Sequence, residues 1–318
     1  MENLLNTLLS NYLNSVDELL AVAACDKNGL ILASVGSEEL GESSDAVIGV
    51  VSAMLDEYFE RIKKEFGTED TFFNVTTTKE RKFAFCSMGS NAILTTIAKP
   101  SASDMEIKVF SEHVAQKIGL ILKRKNNITL EIPEIVKALS KTKSGKISEG
   151  EYSAKIILTG DPKVGKTSLV RRFVENKFTE NYLTTIGVDI TKKEVELIQG
   201  KTTVSFLIWD IGGQFSRYRQ KFYNGANAAL MVIDRTRLET LKSVNDWYDD
   251  IKNSIKRDIP VVLVGNKSDL VSEIKVSEED IKKVAKELDF HYIITSAKTG
   301  ENVSDLFMYV GYVVVETM

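Results

Sequence analysis

The chain is poor in cysteine, histidine and proline, with two, two and four residues among 318. So few Cys and His exclude a zinc site built from those ligands. Cys25 and Cys86 each sit in an apolar stretch. That suits buried thiols in a reducing compartment, and pairing stays open if the fold brings them together. No run of 18 apolar residues occurs, so no membrane-spanning helix is expected. The start, Met1-Glu2-Asn3-Leu4, lacks a basic region ahead of an apolar one, and no secretory leader is expected. Glu2 stands where myristoylation needs Gly, and the final Val-Glu-Thr-Met offers no Cys to a prenyl group. The expectation is a cytoplasmic protein without an intrinsic lipid anchor. A net charge of −4 speaks against nucleic acid as a partner.

What is present divides the chain into three stretches. Over residues 1–124 the pattern reads helix, two strands, helix, three strands, helix. Leu4, Leu5, Leu8, Leu9, Tyr12, Leu13 and Val16 recur at helical spacing. Two apolar runs flank Asp26-Lys27-Asn28-Gly29, a hairpin turn signal. Val47, Val51, Leu55, Tyr58, Ile62 and Phe66 predict a second amphipathic helix ending at Gly67. "TFFNVTTT", "KFAFCSMG" and "NAILTTIAK" predict three strands, and a helix is expected from Asp104 to Lys123. His113 on that helix has no base or nucleophile near it in sequence, so a surface or half-buried histidine is expected. "ESSD", residues 42–45, reads as a helix cap.

Residues 125–151 read as a linker, with a short helix starting at Pro133 and a flexible "TKSGKISEGE". Its basic excess, including Lys137, Lys141, Lys143 and Lys146, leaves peripheral contact with anionic lipid open beside a plain solvated linker.

From residue 152 to 318, apolar strands alternate with helical stretches: "KIILTG", "VSFLIWD", "AALMVID", "PVVLVGN" and "HYIITSA". This predicts an α/β unit with a mostly parallel sheet and helices on both faces. Ligands of such sheets sit at the carboxyl ends of the strands. "GDPKVGKT", residues 160–167, follows a strand and opens a helix, which makes it a phosphate-binding loop. Its backbone N–H groups, from Gly160 and Asp161 through Lys163, Val164 and Gly165 to Lys166, Thr167 and Ser168, face phosphates. Lys166 reaches the β- and γ-phosphates, and the Thr167 hydroxyl is offered to Mg²⁺. "WDIGGQ", residues 209–214, ends another strand. Asp210 there is a Mg²⁺ ligand candidate, the Gly213 N–H approaches the γ-phosphate, and Gln214 orients an attacking water. "GNKSDL", residues 265–270, supplies Asn266, Lys267, Asp269 and Leu270. The two acceptor oxygens of Asp269 suit the N1–H and exocyclic amine of guanine, whereas adenine reverses that pattern. "TSAK", through Ser296, Ala297 and Lys298, adds the Ala297 N–H for guanine O6.

Taken together, these segments make residues 152–318 resemble a small GTPase of the Ras superfamily, with all five guanine-nucleotide motifs in order. The resemblance implies GTP and GDP as ligands with Mg²⁺, and slow hydrolysis of GTP to GDP. It implies that Thr185 ligates Mg²⁺ in the GTP state, that Phe178 packs on the guanine edge, and that Lys166 and Gln214 act in catalysis. Trp209, "TIGVD" and Trp247 are similar to the Rab branch, and "GGQ" to the Arf branch. The family also implies an exchange factor, an activating protein and effectors. Arg217 and Arg219 stand open between a catalytic arginine supplied in cis and a surface role. Pro162 falls where Ras proteins place a glycine facing the γ-phosphate. A nucleotide-stabilised scaffold with little turnover is the alternative.

Residues 1–124 resemble the Roadblock/LC7 family in element order and in "AVAACDKNGLILAS". Longin-type, profilin-like and PAS-like sensor folds share similar orders. The resemblance implies an α+β dimerisation module, hence a homodimer or a roadblock-type partner.

Overall fold

The computed structural model describes residues 1–26, 30–36, 71–88, 92–123, 128, 130–142, 149–179, 187–198, 202–212 and 219–318. The chain divides into two compact units, Met1–Ile132 with Val136–Ser144, and Gly145–Met318 with Pro133–Ile135.

In the first unit, α1 (Glu2–Leu13) leads into β1 (Leu19–Asp26) and β2 (Ile31–Gly36). Then follow β3 (Thr71–Thr77), β4 (Lys82–Met88), β5 (Ala92–Ala98) and α2 (Asp104–Leu122). The strands form an antiparallel sheet in the order β2-β1-β5-β4-β3. β1 and β2 pair as the hairpin signal predicts, and Asp26 closes it. Its N–H donates to Leu30 O at 2.8 Å and its carboxylate accepts from the Leu30 N–H at 2.9 Å. Lys27, Asn28 and Gly29, the expected helix over 47–66 and the "ESSD" cap lie outside the described residues.

Ser103 caps α2, accepting from the Glu106 N–H at 3.3 Å. The hydroxyls of Tyr12 and Ser111, 2.9 Å apart, join α1 to α2, and the Thr96 hydroxyl donates to Tyr12 at 3.4 Å. Burial pushes the Tyr12 phenol well up, so it stays a neutral partner in that cluster.

The structure corrects the expectation for His113, which is 1% exposed. α2 buries most of its circumference, so even Lys117 is 2% exposed and donates to Glu131 O at 3.0 Å. A helix covered on several sides has no solvent stripe for a histidine to occupy. Cys25 and Cys86 are both buried and not joined in a disulfide, and burial raises the Cys86 thiol well above its ordinary range. Among the described residues, no helix is long and apolar enough to cross a membrane.

A short helix, α3 (Glu134–Thr142), begins immediately after Pro133. The second unit then runs β6 (Gly150–Thr159), α4 (Lys166–Glu175), β7 (Val188–Ile198), β8 (Thr202–Ile211), α5 (Arg219–Tyr223) and β9 (Ala228–Asp234). It continues with α6 (Leu238–Lys242), α7 (Val244–Ser254), β10 (Val261–Asn266), α8 (Glu278–Glu287), β11 (His291–Ile294) and α9 (Val303–Thr317). The six strands order as β11-β10-β9-β6-β8-β7, all parallel except β7.

Two features go beyond the pattern. β6 starts at Gly150, inside the stretch expected to be a connector, because Gly150 and Glu151 pair with Thr202 and Thr203 of β8. Its apolar run begins only at Ala154, so periodicity sees the second half alone. β7 is an antiparallel edge strand. Of its residues, Val195 and Leu197 are buried, while Lys192, Glu194 and Glu196 are exposed. Charged edge strands lack the apolar run by which the other strands are recognised. The core under β9 and β10 collects Met231, Ile233, Leu263, Trp247, Ile251 and Ile281. It fixes the strands so that their carboxyl ends, at Thr159, Asp210, Asp234 and Asn266, fall along one edge.

Candidate nucleotide-binding site

The loop between β6 and α4 turns at two glycines that nothing else replaces. Gly160 has φ +125, and a Cβ there meets Val232 O at 2.1 Å. Gly165 has φ +101, and a Cβ there meets Asn266 Nδ2 at 2.3 Å. Lys163 sits in the left-handed region at φ +67, which costs an L-residue about 1–2 kcal/mol. α4 starts at Lys166, so the loop residues lead into the positive end of a helix. Lys166 is 7% exposed, and its ammonium donates to Gly160 O at 2.7 Å and Asp161 O at 2.9 Å. It is therefore held inside the loop, where phosphate oxygens bind in loops of this kind.

The Thr167 hydroxyl donates to the Asp210 carboxylate. Asp210 is 2% exposed at the end of β8. A hydroxyl and a carboxylate meeting beside the loop are hard oxygen donors of the kind Mg²⁺ takes. Among the described residues no group of three or more His, Cys, Asp or Glu is placed to hold a metal.

The two segments expected to read the base lie on the same edge. Asn266 closes β10, and its side-chain amide donates to Val164 O at 2.9 Å. Its oxygen accepts from the Ala297 N–H at 3.2 Å and from the Thr295 hydroxyl at 3.3 Å. One side chain thus ties the phosphate loop to both base loops. Asp269 accepts from the Ser296 hydroxyl at 2.6 Å, and Ser296 also accepts from the Thr299 N–H at 3.0 Å. Those bonds fix the carboxylate's orientation. Lys267, at φ +68, donates to Asp234 at 2.6 Å. Leu270 closes the turn, its N–H donating to Lys267 O at 3.2 Å.

The structure thus gathers Gly160, Asp161, Lys163, Val164, Gly165, Lys166 and Thr167 with Asp210, Asn266, Lys267, Asp269, Ser296 and Ala297. Ser168 follows in the first turn of α4, half-buried, and Phe178 is half-buried beyond its end. Lys298 is exposed, and its carbonyl accepts from Arg172 at 2.6 Å. Thr185, Gly213, Gln214 and Arg217 lie outside the described residues, and Arg219 opens α5.

Several residues that no motif singles out support this edge. Arg172 on α4 also donates to Ala297 O at 2.8 Å, which anchors the base loop to the helix that carries the phosphate loop. The Asp161 carboxylate accepts from the Ser243 hydroxyl at 2.8 Å and from Trp247 Nε1 at 2.9 Å. Asp234 closes β9 at 1% exposure. An acid at the carboxyl end of a parallel strand is a signal that marked Asp210 and marks Asp234 equally.

A model of the Ras family matches residues 155–315. The chain is 38% identical over 162 residues to Ras-related protein RABD2b of Arabidopsis thaliana, covering 50% of this chain and 79% of that relative. Ras-related protein RABD2c of the same plant matches with the same identity and coverage. Ras-related protein Rab-4 of Dictyostelium discoideum is 37% identical over 160 residues, 49% of this chain and 77% of the relative. The C-terminal half of the chain is thus a Rab-like GTPase domain, and the chain belongs to the Ras family of GTP-binding molecular switches that hydrolyse GTP.

Proposed function

We propose that residues 152–318 run a Mg²⁺-dependent cycle of GTP binding and slow hydrolysis, with residues 1–124 acting as a roadblock-type dimerisation module. The observation that carries the first part is the reach of Asn266. It bonds the phosphate loop at Val164 O and the base loop at Ala297 N–H, so one rigid edge presents phosphate donors and guanine acceptors together. Lys166 offers its ammonium to the β- and γ-phosphates, and Asp269 accepts from the guanine N1–H and amine. Thr167 and Asp210 are the residues that would hold Mg²⁺, joined by Thr185 in the GTP state. With Mg²⁺ bound, charge building on the phosphate oxygens is neutralised. Gln214 orients the attacking water. Hydrolysis then frees the segments around Thr185 and Gln214 from their γ-phosphate contacts, which is the switching event.

The antiparallel five-strand sheet with α1 and α2 packed on it supports the dimerisation reading of residues 1–124. Residues 125–151 join the two modules. The working compartment is the cytoplasm, and the partners are an exchange factor, an activating protein and effectors.

Displacement of a fluorescent GDP analogue tests the reading. GTP and GDP compete and ATP does not, and chelation of Mg²⁺ speeds release. Equal competition by ATP sinks it. A single-turnover assay on the parent and on Gln214→Leu separates a switch from a scaffold, because a scaffold turns over at the same negligible rate in both. Sedimentation of the full chain reports the dimer, and a monomer at micromolar concentration removes the dimerisation module.

A further inference from the structure

Arg237 lies in none of the nucleotide motifs, yet it touches the phosphate loop. Its Nε donates to Asp234 Oδ2 at 3.0 Å, and its Nη2 donates to Pro162 O at 2.8 Å. Asp234 Oδ2 also accepts from Lys267 Nζ at 2.6 Å, and Oδ1 accepts from the N–H and hydroxyl of Thr236 at 2.9 and 2.7 Å. One buried carboxylate therefore holds the lysine of the base loop and the arginine that grips the phosphate loop.

The grip falls at Pro162, in the middle of that loop. Pro162 has no N–H to give a phosphate. The next residue, Lys163, is in the left-handed region at φ +67. Neighbouring loop residues are anchored separately, Asp161 by Ser243 and Trp247, and Val164 by Asn266. Arg237 holds the peptide between them at Pro162 O, through a charge-assisted hydrogen bond.

Burial alone pushes the Asp234 carboxyl up, but hydrogen bonds from Lys267, Thr236 and Arg237 outweigh it and hold it below the usual carboxylate range. The carboxylate is thus charged at neutral pH and accepts from Arg237 Nε there.

Arg237 also has the form of a charge that stabilises the transition state. Its bonds argue otherwise. Nε is committed to Asp234, Nη2 to Pro162 O, and Nη1 stands 3.9 Å from Glu239. Two of its five N–H groups are thus held by protein acceptors, which fixes the direction in which the guanidinium points.

We infer that Arg237, oriented by Asp234, is a positioning residue that shapes the phosphate loop at Pro162 and so sets how tightly the loop holds the β-phosphate. This rests on the guanine-nucleotide reading of the site. The role separates from plain structural support by comparing GDP with GMP, which has no β-phosphate for the loop to hold.

The test measures release of a fluorescent GDP analogue, and competition by GDP and by GMP, for the parent, Arg237→Ala, Arg237→Lys and Asp234→Asn. Arg237→Ala is expected to release GDP about tenfold faster, the scale of one charge-assisted hydrogen bond. The ratio of GDP to GMP affinity falls by a similar factor, while GMP affinity holds. Arg237→Lys recovers part of the loss, since a single ammonium does not span both acceptors. Asp234→Asn with Arg237→Ala loses less than the sum of the two single effects. If Arg237→Ala does not fold, Arg237→Lys decides by the same ratio. Unchanged release and an unchanged GDP to GMP ratio overturn the inference. So does a fall confined to the rate of GTP cleavage, which makes Arg237 a transition-state group. A parent chain that binds no guanine nucleotide overturns the nucleotide reading itself, which is a different result.

Discussion

The indole Nε1 of Trp247 donates to the Asp161 carboxylate at 2.9 Å, bringing a core residue of α7 into the phosphate loop. Ser243, at the start of α7, bonds the other oxygen. Trp247 is itself packed among Tyr223, Val244, Ile251 and their neighbours. The loop's outer side is therefore tied to the hydrophobic core, and packing defects there reach the nucleotide. Trp247→Phe keeps an aromatic ring but removes the donor. It is expected to lower stability by about 1–3 kcal/mol, from the donor lost to the half-buried Asp161 carboxylate and the smaller ring left in the core. Urea unfolding of the GDP-loaded protein checks this, and an unchanged midpoint means water replaces the indole.

Gly160 and Lys163 make opposite predictions within one loop. A Cβ on Gly160 meets a backbone oxygen, Val232 O, at 2.1 Å, and β9 cannot yield because it is paired on both sides. Gly160→Ala is expected to abolish accumulation of folded, GDP-binding protein. Lys163 at φ +67 is the reverse case. Replacing it by Gly removes about 1–2 kcal/mol of left-handed strain. The added freedom of the unfolded chain takes back about 0.5–1 kcal/mol. Lys163→Gly is thus expected to unfold no earlier than the parent, whereas Lys163→Val unfolds earlier. Thermal scans of both variants with GDP bound distinguish the two, and a Gly variant that unfolds first refutes the strain argument.

Much of this site is legible in the sequence because each motif pairs a chemical residue with a strand end. "GDPKVGKT" after an apolar strand, and Asp210, Asn266 and Asp269 at or just beyond strand ends, need only the rule that parallel sheets bind ligands at their carboxyl edge. What escapes is contact that sequence spacing does not encode. Arg237 reaches Pro162 across 75 positions and Arg172 reaches Ala297 across 125. β7 escapes because an edge strand carries charge instead of an apolar run, and His113 because a helix buried on several sides looks amphipathic when only its strongest stripe is counted.

Asp269 makes a prediction about base choice. The Ser296 hydroxyl holds one of its oxygens at 2.6 Å, so the side chain is set before a base arrives. Asp269→Asn turns one acceptor into an NH₂ donor facing the guanine amine. Guanine affinity is expected to fall by about 1–3 kcal/mol, or roughly ten- to a hundredfold. Xanthine carries a carbonyl in place of that amine, so its diphosphate gains. Competition of GDP and xanthosine diphosphate against one fluorescent probe measures both changes. A parallel loss for the two bases shows that Asp269 supports the loop without reading the base.

Asp234 predicts how stability responds to acid. Its folded carboxyl lies below the ordinary range because Lys267, Thr236 and Arg237 all donate to it. A depressed folded value means that the stabilisation is complete above the unfolded value, about 3.9. It is lost as pH falls through the folded value, because the unfolded state takes up the proton first. Asp234→Asn is therefore expected to cost stability at pH 7 and at pH 5 by the same amount. The gap to the parent narrows below about pH 4, where the Asp234 carboxylate of the parent's unfolded chain begins to be protonated while the folded one stays charged. Urea midpoints of both proteins at pH 7, 5 and 3.5 give the comparison. A gap that stays constant down to pH 3.5 and below implies that the carboxylate's charge contributes nothing, and that the cluster is held by its geometry alone.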